Sequence, residues 1–303
     1  RQARSVRGGG QGAGRGQMMP GAHHYRRVLV MVQEGHAEAP AFHLAAELAH
    51  LLGLALEGLF VEDEALVALS ALPFARELRV PGHTWQTLDP VRMLEDFRHS
   101  AGRARQLMAE AAAEVGLVSA FSVLRGDPLA TLAEQAGAGD ILVLAEPGAV
   151  RTAAIRARGR DIFRHGRSGV LLLPARALKQ HGSVALLLPT EGADAIEIGA
   201  AIARASAENL VLIAPTGAAA AEMRTLARLR KAGLFPARLH RRHLPTDDAG
   251  LIAVALRAAG ARLLVLDRAA LGTDVQGFLA RLLAESGAAL LLLGEPPAPA
   301  TAG

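Results

Sequence analysis

The chain has 303 residues, 51% apolar but only 3% aromatic, so about two domains are expected, with cores of Leu, Val, Ile and Ala. It has no Cys, which excludes disulfides, thiolate catalysis and zinc–thiolate centres. The formal charge is +4, but residues 1–17 hold four Arg and no acid, and outside them 29 basic residues balance 29 acidic ones, leaving no global footprint for nucleic acid.

Residues 1–24 read as a disordered basic tail without the apolar run of a secretory signal. Strand-length apolar bursts follow at Val28–Val32, Leu54–Val61, Ser119–Leu124, Ile141–Ala145 and Val170–Leu173. A second series lies at Val184–Leu188, Leu210–Ala214, Ala237–His243, Leu263–Leu266 and Leu290–Leu293. Helix-length Ala/Leu/Arg segments separate them. Strands without polar alternation are buried on both faces, as in parallel sheets, and alternation with helices gives βαβ crossovers. The stretch Glu62–Asp89, with Pro73, Pro81 and Gly82, reads as a long surface loop. No apolar run approaches the ~20 residues of a membrane span.

Gly stands just before a strand at positions 53, 116, 139, 169, 233, 260 and 287, where a left-handed residue would end the preceding helix. Asp127-Pro128, the acids of Thr246-Asp247-Asp248 and the box Thr273–Gln276 mark helix starts. The two series repeat. Met31–Gly35 answers Leu188–Gly192, Ala138–Leu144 answers Gly260–Leu266, and Gly169–Leu173 answers Ala289–Leu293. Two units are therefore expected, at residues 25–176 and 180–295, with 296–303 a frayed end.

Each half resembles a universal stress protein domain. The residues that carry the resemblance are Val28–Gly35, Leu59–Asp63, Gly126-Asp127-Pro128, Asp140–Leu144 and Arg164–Leu173. The resemblance implies two tandem open parallel five-stranded sheets of order 3-2-1-4-5, helices on both faces, with ligands bound at the switch between strands 1 and 4. It also implies pairing of the fifth strands, Val170–Leu173 with Leu290–Leu293, as an intramolecular pseudo-dimer; a homo-oligomer is a further option. Many members bind ATP through Gly-x2-Gly-x9-Gly-Ser/Thr after strand 4, where glycines let backbone approach phosphate. This chain departs from that motif. The first half has Glu146 and Gly148, then no Gly from Arg151 to Arg158, and the second reads Asp267–Thr273. Asp267 or Glu146 beside a phosphate would repel it. The remnant nucleotide site falls on Glu191, Gly192, Gly272 and Thr273 of the second half. Arg156 and Arg160, in an Arg-rich run from Arg151 to Arg167, form a candidate anion patch, with a solvated helix face as the alternative.

His36, His43 and His50 recur every seven residues, ~10 Å apart along a helix, too far to share a metal. His240 and His243 flank Arg241-Arg242; their odd spacing sends them to opposite faces of a strand, so they make no metal pair, and the cluster suits an acidic partner or a plain strand end. No Gly-x-Ser-x-Gly, P-loop, strand-linked Gly-x-Gly-x-x-Gly or His-Glu-x-x-His occurs. The expectation is a cytoplasmic, universal-stress-like regulatory protein without catalysis, cofactor or metal, acting through a protein partner, not through nucleic acid or membrane. The alternative is an ATP or AMP binder using the second half.

Overall fold

The computed structural model describes residues 23–32, 39–79, 84–145, 168–174, 179–188, 194–234, 236–245, 248–271 and 275–294. The first half runs β1 (Arg27–Val32), α1 (Ala39–Leu52), β2 (Ala55–Asp63), α2 (Glu64–Ser70), β3 (Arg76–Arg79), β4 (Thr84–Thr87), α3 (Pro90–Glu114), β5 (Ser119–Gly126), α4 (Pro128–Gln135), β6 (Asp140–Ala145) and β7 (Gly169–Leu173). The second runs β8 (Ser183–Leu187), α5 (Ala195–Ala205), β9 (Leu210–Pro215), α6 (Ala219–Lys231), β10 (Leu239–Leu244), α7 (Ala249–Ala258), β11 (Ala261–Asp267), α8 (Val275–Ser286) and β12 (Ala289–Leu293). Every apolar burst of the sequence is a strand, its ends displaced by two residues at most.

The two five-stranded sheets form one continuous sheet, joined by the pairing of the fifth strands that the resemblance implied. Ten strands lie in the order β10-β9-β8-β11-β12-β7-β6-β1-β2-β5. Within each half all neighbours are parallel, and the halves join where β12 meets β7 antiparallel, Leu291 opposite Leu171. The reason is physical. β12 is buried along its whole length, and a free edge there would leave apolar side chains and unpaired backbone groups in water. One face carries α1, α3, α5 and α6 over a continuous apolar core that crosses the joint, including Val28, Leu171, Val184 and Leu291. Under the other face α4 covers the first half, α7 and α8 cover the second, and Leu172 touches both clusters. Among the described residues no helix is long and apolar enough to cross a membrane.

Three expectations fail. Glu62–Asp89 is not a loop. β2 continues to Asp63, whose carboxylate accepts from the Ala65 N–H and starts α2; β3 and β4 form a hairpin; and Asp89, accepting from Val91 N–H, starts α3. Local capping outweighs the Pro and Gly that suggested irregular chain. The tail does not reach residue 24, because His23 and His24 pack ahead of β1 and Tyr25 is buried. Finally, Gly139 and Gly169 lack the positive φ seen at Gly53, Gly116, Gly233, Gly260 and Gly287. Gly169 serves close approach instead, since a Cβ there would lie 3.1 Å from the Tyr25 ring.

One ion-pair network ties the halves across the sheet. The Arg262 side chain, 2% exposed at the start of β11, donates from Nε to both Glu208 oxygens at 2.8 Å. Its terminal nitrogens reach Glu47 of α1 at 2.8 and 3.1 Å. Breaking a buried pair leaves uncompensated charge, whereas neutralising every member does not. Arg262→Met should therefore cost about 3–5 kcal/mol in urea unfolding, and adding Glu47→Gln with Glu208→Gln should recover most of it.

Candidate functional site

The second half's switch lies between β8 and β11, parallel neighbours with Leu186 opposite Val265. Open α/β sheets bind ligands beyond the carboxyl ends of such strands. β11 ends there at Asp267, and α5 starts there at Asp194 and Ala195. Asp267 is 7% exposed. Burial first, then the Asp194 charge, push its carboxyl up to about 7; the nearby backbone of Ala195 and Arg228 pull the other way, while Glu197 adds to the rise. Among the described residues its Oδ2 has no hydrogen-bond partner.

The antiparallel joint sets the carboxyl ends of the second-half strands beside the amino ends of the first-half strands. The segment leading into β1 therefore lies over this crevice. His24 Nδ1 meets Asp194 Oδ2 at 2.8 Å, which turns the Asp194 side chain away from capping its own helix. Tyr25, the only Tyr of the chain, accepts through its hydroxyl from the Gly294 N–H at 2.9 Å, just past β12. Burial pushes the Tyr25 hydroxyl up, so it stays protonated, and burial pushes His23 down, so it stays neutral at neutral pH. Beside this segment opens a cleft of about 650 Å³, lined by His23, His24, Arg26, Arg27, Gln135 and Asp140 among others. Its Arg27 guanidinium is already spent: Nε and a terminal nitrogen donate to Asp140 at 3.0 and 2.6 Å, the other terminal nitrogen to Glu57 at 2.7 Å.

Glu191, Gly192, Gly272, Thr273, Arg156 and Arg160 all lie outside the described residues, as do Glu146, His36 and the box at Thr273. Of the stretch Asp267–Thr273, Asp267 is a described residue, and its carboxyl stands in the crevice. Sequence reasoning missed His24, Tyr25 and Asp194. The one available signal was a lone Tyr two residues ahead of an apolar strand. Asp127 and Asp248 accept from backbone N–H groups of α4 and α7 and act as helix caps. His43 bonds the Ala39 carbonyl and Glu114, joining α1 to α3. His243 and Arg241 share one face of β10 and both meet Glu222. Among the described residues no three metal-ligating side chains converge.

No protein-family model matches the chain, and no curated protein matches it. Among solved structures it is similar to a universal stress protein from Archaeoglobus fulgidus DSM 4304, at 12% identity and TM-score 0.61 over 91% of this chain and 99% of that one. A functionally unknown protein from Pseudomonas aeruginosa PAO1 is similar at 19% identity and TM-score 0.51, over 89% and 92%. A protein of Pseudomonas aeruginosa UCBPP-PA14, provisionally named a universal stress protein, gives 18% and 0.52 over 89% and 93%. The chain has the universal stress protein fold. At these identities the likeness speaks for fold, and it runs nearly end to end in each case.

The raised Asp267 value carries a sign. Between about pH 4 and pH 7 the folded chain holds a proton there that the unfolded chain has lost, so this group's contribution falls as pH rises through that window and is flat above it. Asp267→Asn should therefore stabilise the fold by on the order of 3 kcal/mol at pH 8 and leave it unchanged at about pH 3, read by thermal unfolding at both pH values.

Proposed function

We propose that this chain is a tandem universal-stress-like regulatory protein of the cytoplasm, without catalytic activity, that acts through contacts with a protein partner in a stress response. The shared fold and the strand order repeated on both sides of the joint support the tandem reading. The observation that carries the functional reading is the buried Asp267 carboxyl at the end of β11, beside Asp194 at the start of α5. A nucleotide phosphate in this crevice would need free N–H donors and a positive field. Here two of the protein's own acids stand at the start of α5, and His24 and Tyr25 lie across the approach. A degenerate phosphate motif and an acid-filled crevice fit a module that is read by a partner better than one that senses ATP or AMP.

The adenine-nucleotide alternative is tested directly. A nucleotide at about 100 times its Kd would stabilise the fold by ~2.7 kcal/mol. Thermal unfolding with millimolar ATP, ADP or AMP and magnesium should show no rise in Tm. A rise that Thr273→Ala removes and Thr152→Ala leaves intact would overturn the proposal in favour of nucleotide binding by the second half.

A further inference from the structure

The second half ends its side of the sheet on β10, which among the described residues pairs with β9 alone. Residues 219–244, which form α6 and β10, hold seven Lys and Arg against one acid, Glu222, a larger surplus than the +4 of the whole chain. Arg224, Arg230 and Lys231 are exposed on α6, and His240, Arg241, Arg242 and His243 are all exposed on β10. Arg241 and His243 lie on the face that meets Glu222, at 3.5 and 2.9 Å, and alternation places His240 and Arg242 on the other face. The ladder to β9 runs from Leu239 to Leu244 without a bulge, and β10 itself holds no Pro. The free edge is thus straight and six residues long, with cations on both of its faces.

From this we infer that β10 is a docking edge for an extended, acid-rich segment of a partner protein, added to the sheet as an eleventh strand. The inference rests on the reading that the chain acts through a partner, and it names that partner's chemistry. Edge backbone groups are met by another polypeptide's N–H and C=O groups, and the charge selects which one. A second β10 is repelled by its own cations. The opposite edge, β5, offers no match: it carries one cation, Arg125, paired with Glu62 at 2.7 Å, against four basic side chains in a row on β10. Because Arg241 and Arg242 face opposite ways, the fitting segment carries acids at consecutive positions. Nucleic acid fits less well: it has no ladder groups to offer, and residues 219–244 hold one aromatic, Phe235, where single strands need several stacking platforms.

The test is fluorescence anisotropy of the full chain with a labelled peptide carrying a central Val-Glu-Glu-Val, beside the same peptide N-methylated at its two Glu residues and a labelled oligothymidine. The plain peptide should bind, should weaken as salt rises, and should lose about tenfold or more in affinity both on N-methylation and in the Arg241→Glu/Arg242→Glu variant, whose fold is checked by circular dichroism. Equal binding of the N-methylated peptide would rule out strand addition. Tighter binding of oligothymidine, or no peptide binding at millimolar concentration, would likewise overturn the inference. Those failures leave the nucleotide titration unmoved, so loss of the edge and loss of the partner reading are told apart.

Discussion

The antiparallel pairing of β7 with β12 is the constraint on which the rest of the molecule depends. Each half is a parallel stack whose fourth and fifth strands are apolar on both faces, and such strands cannot stand at an edge. Placing the two fifth strands against each other buries both at once and continues the core under α1 and α5 from one half to the other. Among the described residues the sheet ends on β5 and β10, and both are half-polar. The solvent-exposed edges are therefore the strands best able to tolerate water, and the one rich in Arg also repels its own copy.

The same reversal decides what can reach the second-half crevice. In an isolated parallel unit the carboxyl ends of the strands face open solvent. Here they face the amino end of the other half, so the lead-in to β1 becomes a wall of the crevice. His24 and Asp194 are 170 residues apart in sequence, and Tyr25 and Gly294 are 269 apart, yet each pair is in hydrogen-bond contact. Filling the crevice with the chain's own side chains puts Asp267 in a poorly solvated place, and that is why its carboxyl holds its proton so far above the ordinary range. The stability that Asp267 withdraws at neutral pH is the cost of an acid kept where the fold elsewhere accommodates ligands.

These sequence separations also mark what could be read in advance. Most of the ten long strands were legible because they are runs rich in Leu, Val and Ile, a pattern that a doubly covered parallel strand requires, whereas the edge strands β5 and β10 carry polar residues. The caps at Asp127 and Asp248 were legible because an Asp ahead of a helical stretch has one cheap use, accepting from the first free N–H groups. The β3–β4 hairpin was not. Its strands are four residues long and hold Arg, Glu, Thr and Gln, and its pairing yields no apolar signature. Of the candidate site, only Asp267 was visible, as an acid in a motif that wants Gly. His24 and Asp194 carry no local pattern, and Tyr25 shows only as the lone Tyr ahead of β1, since what defines all three is the joint.

The joint also explains a charge reversal between the halves. Asp140 and Arg262 hold matching places in the repeat, at the starts of β6 and β11. Asp140 closes a network within the first half, held by Arg27 of β1, which also reaches Glu57 of β2. Arg262 closes its own half through Glu208 and then crosses to Glu47 of α1, on the other side of the joint. An acid at position 262 would face Glu47 and Glu208 and push the halves apart. The backbone can repeat with the same strand order, but the buried charges cannot, because only one of the two networks has to bridge. The repeated strand order thus sets the strands, and the contact between the two halves sets which charges each half is able to keep.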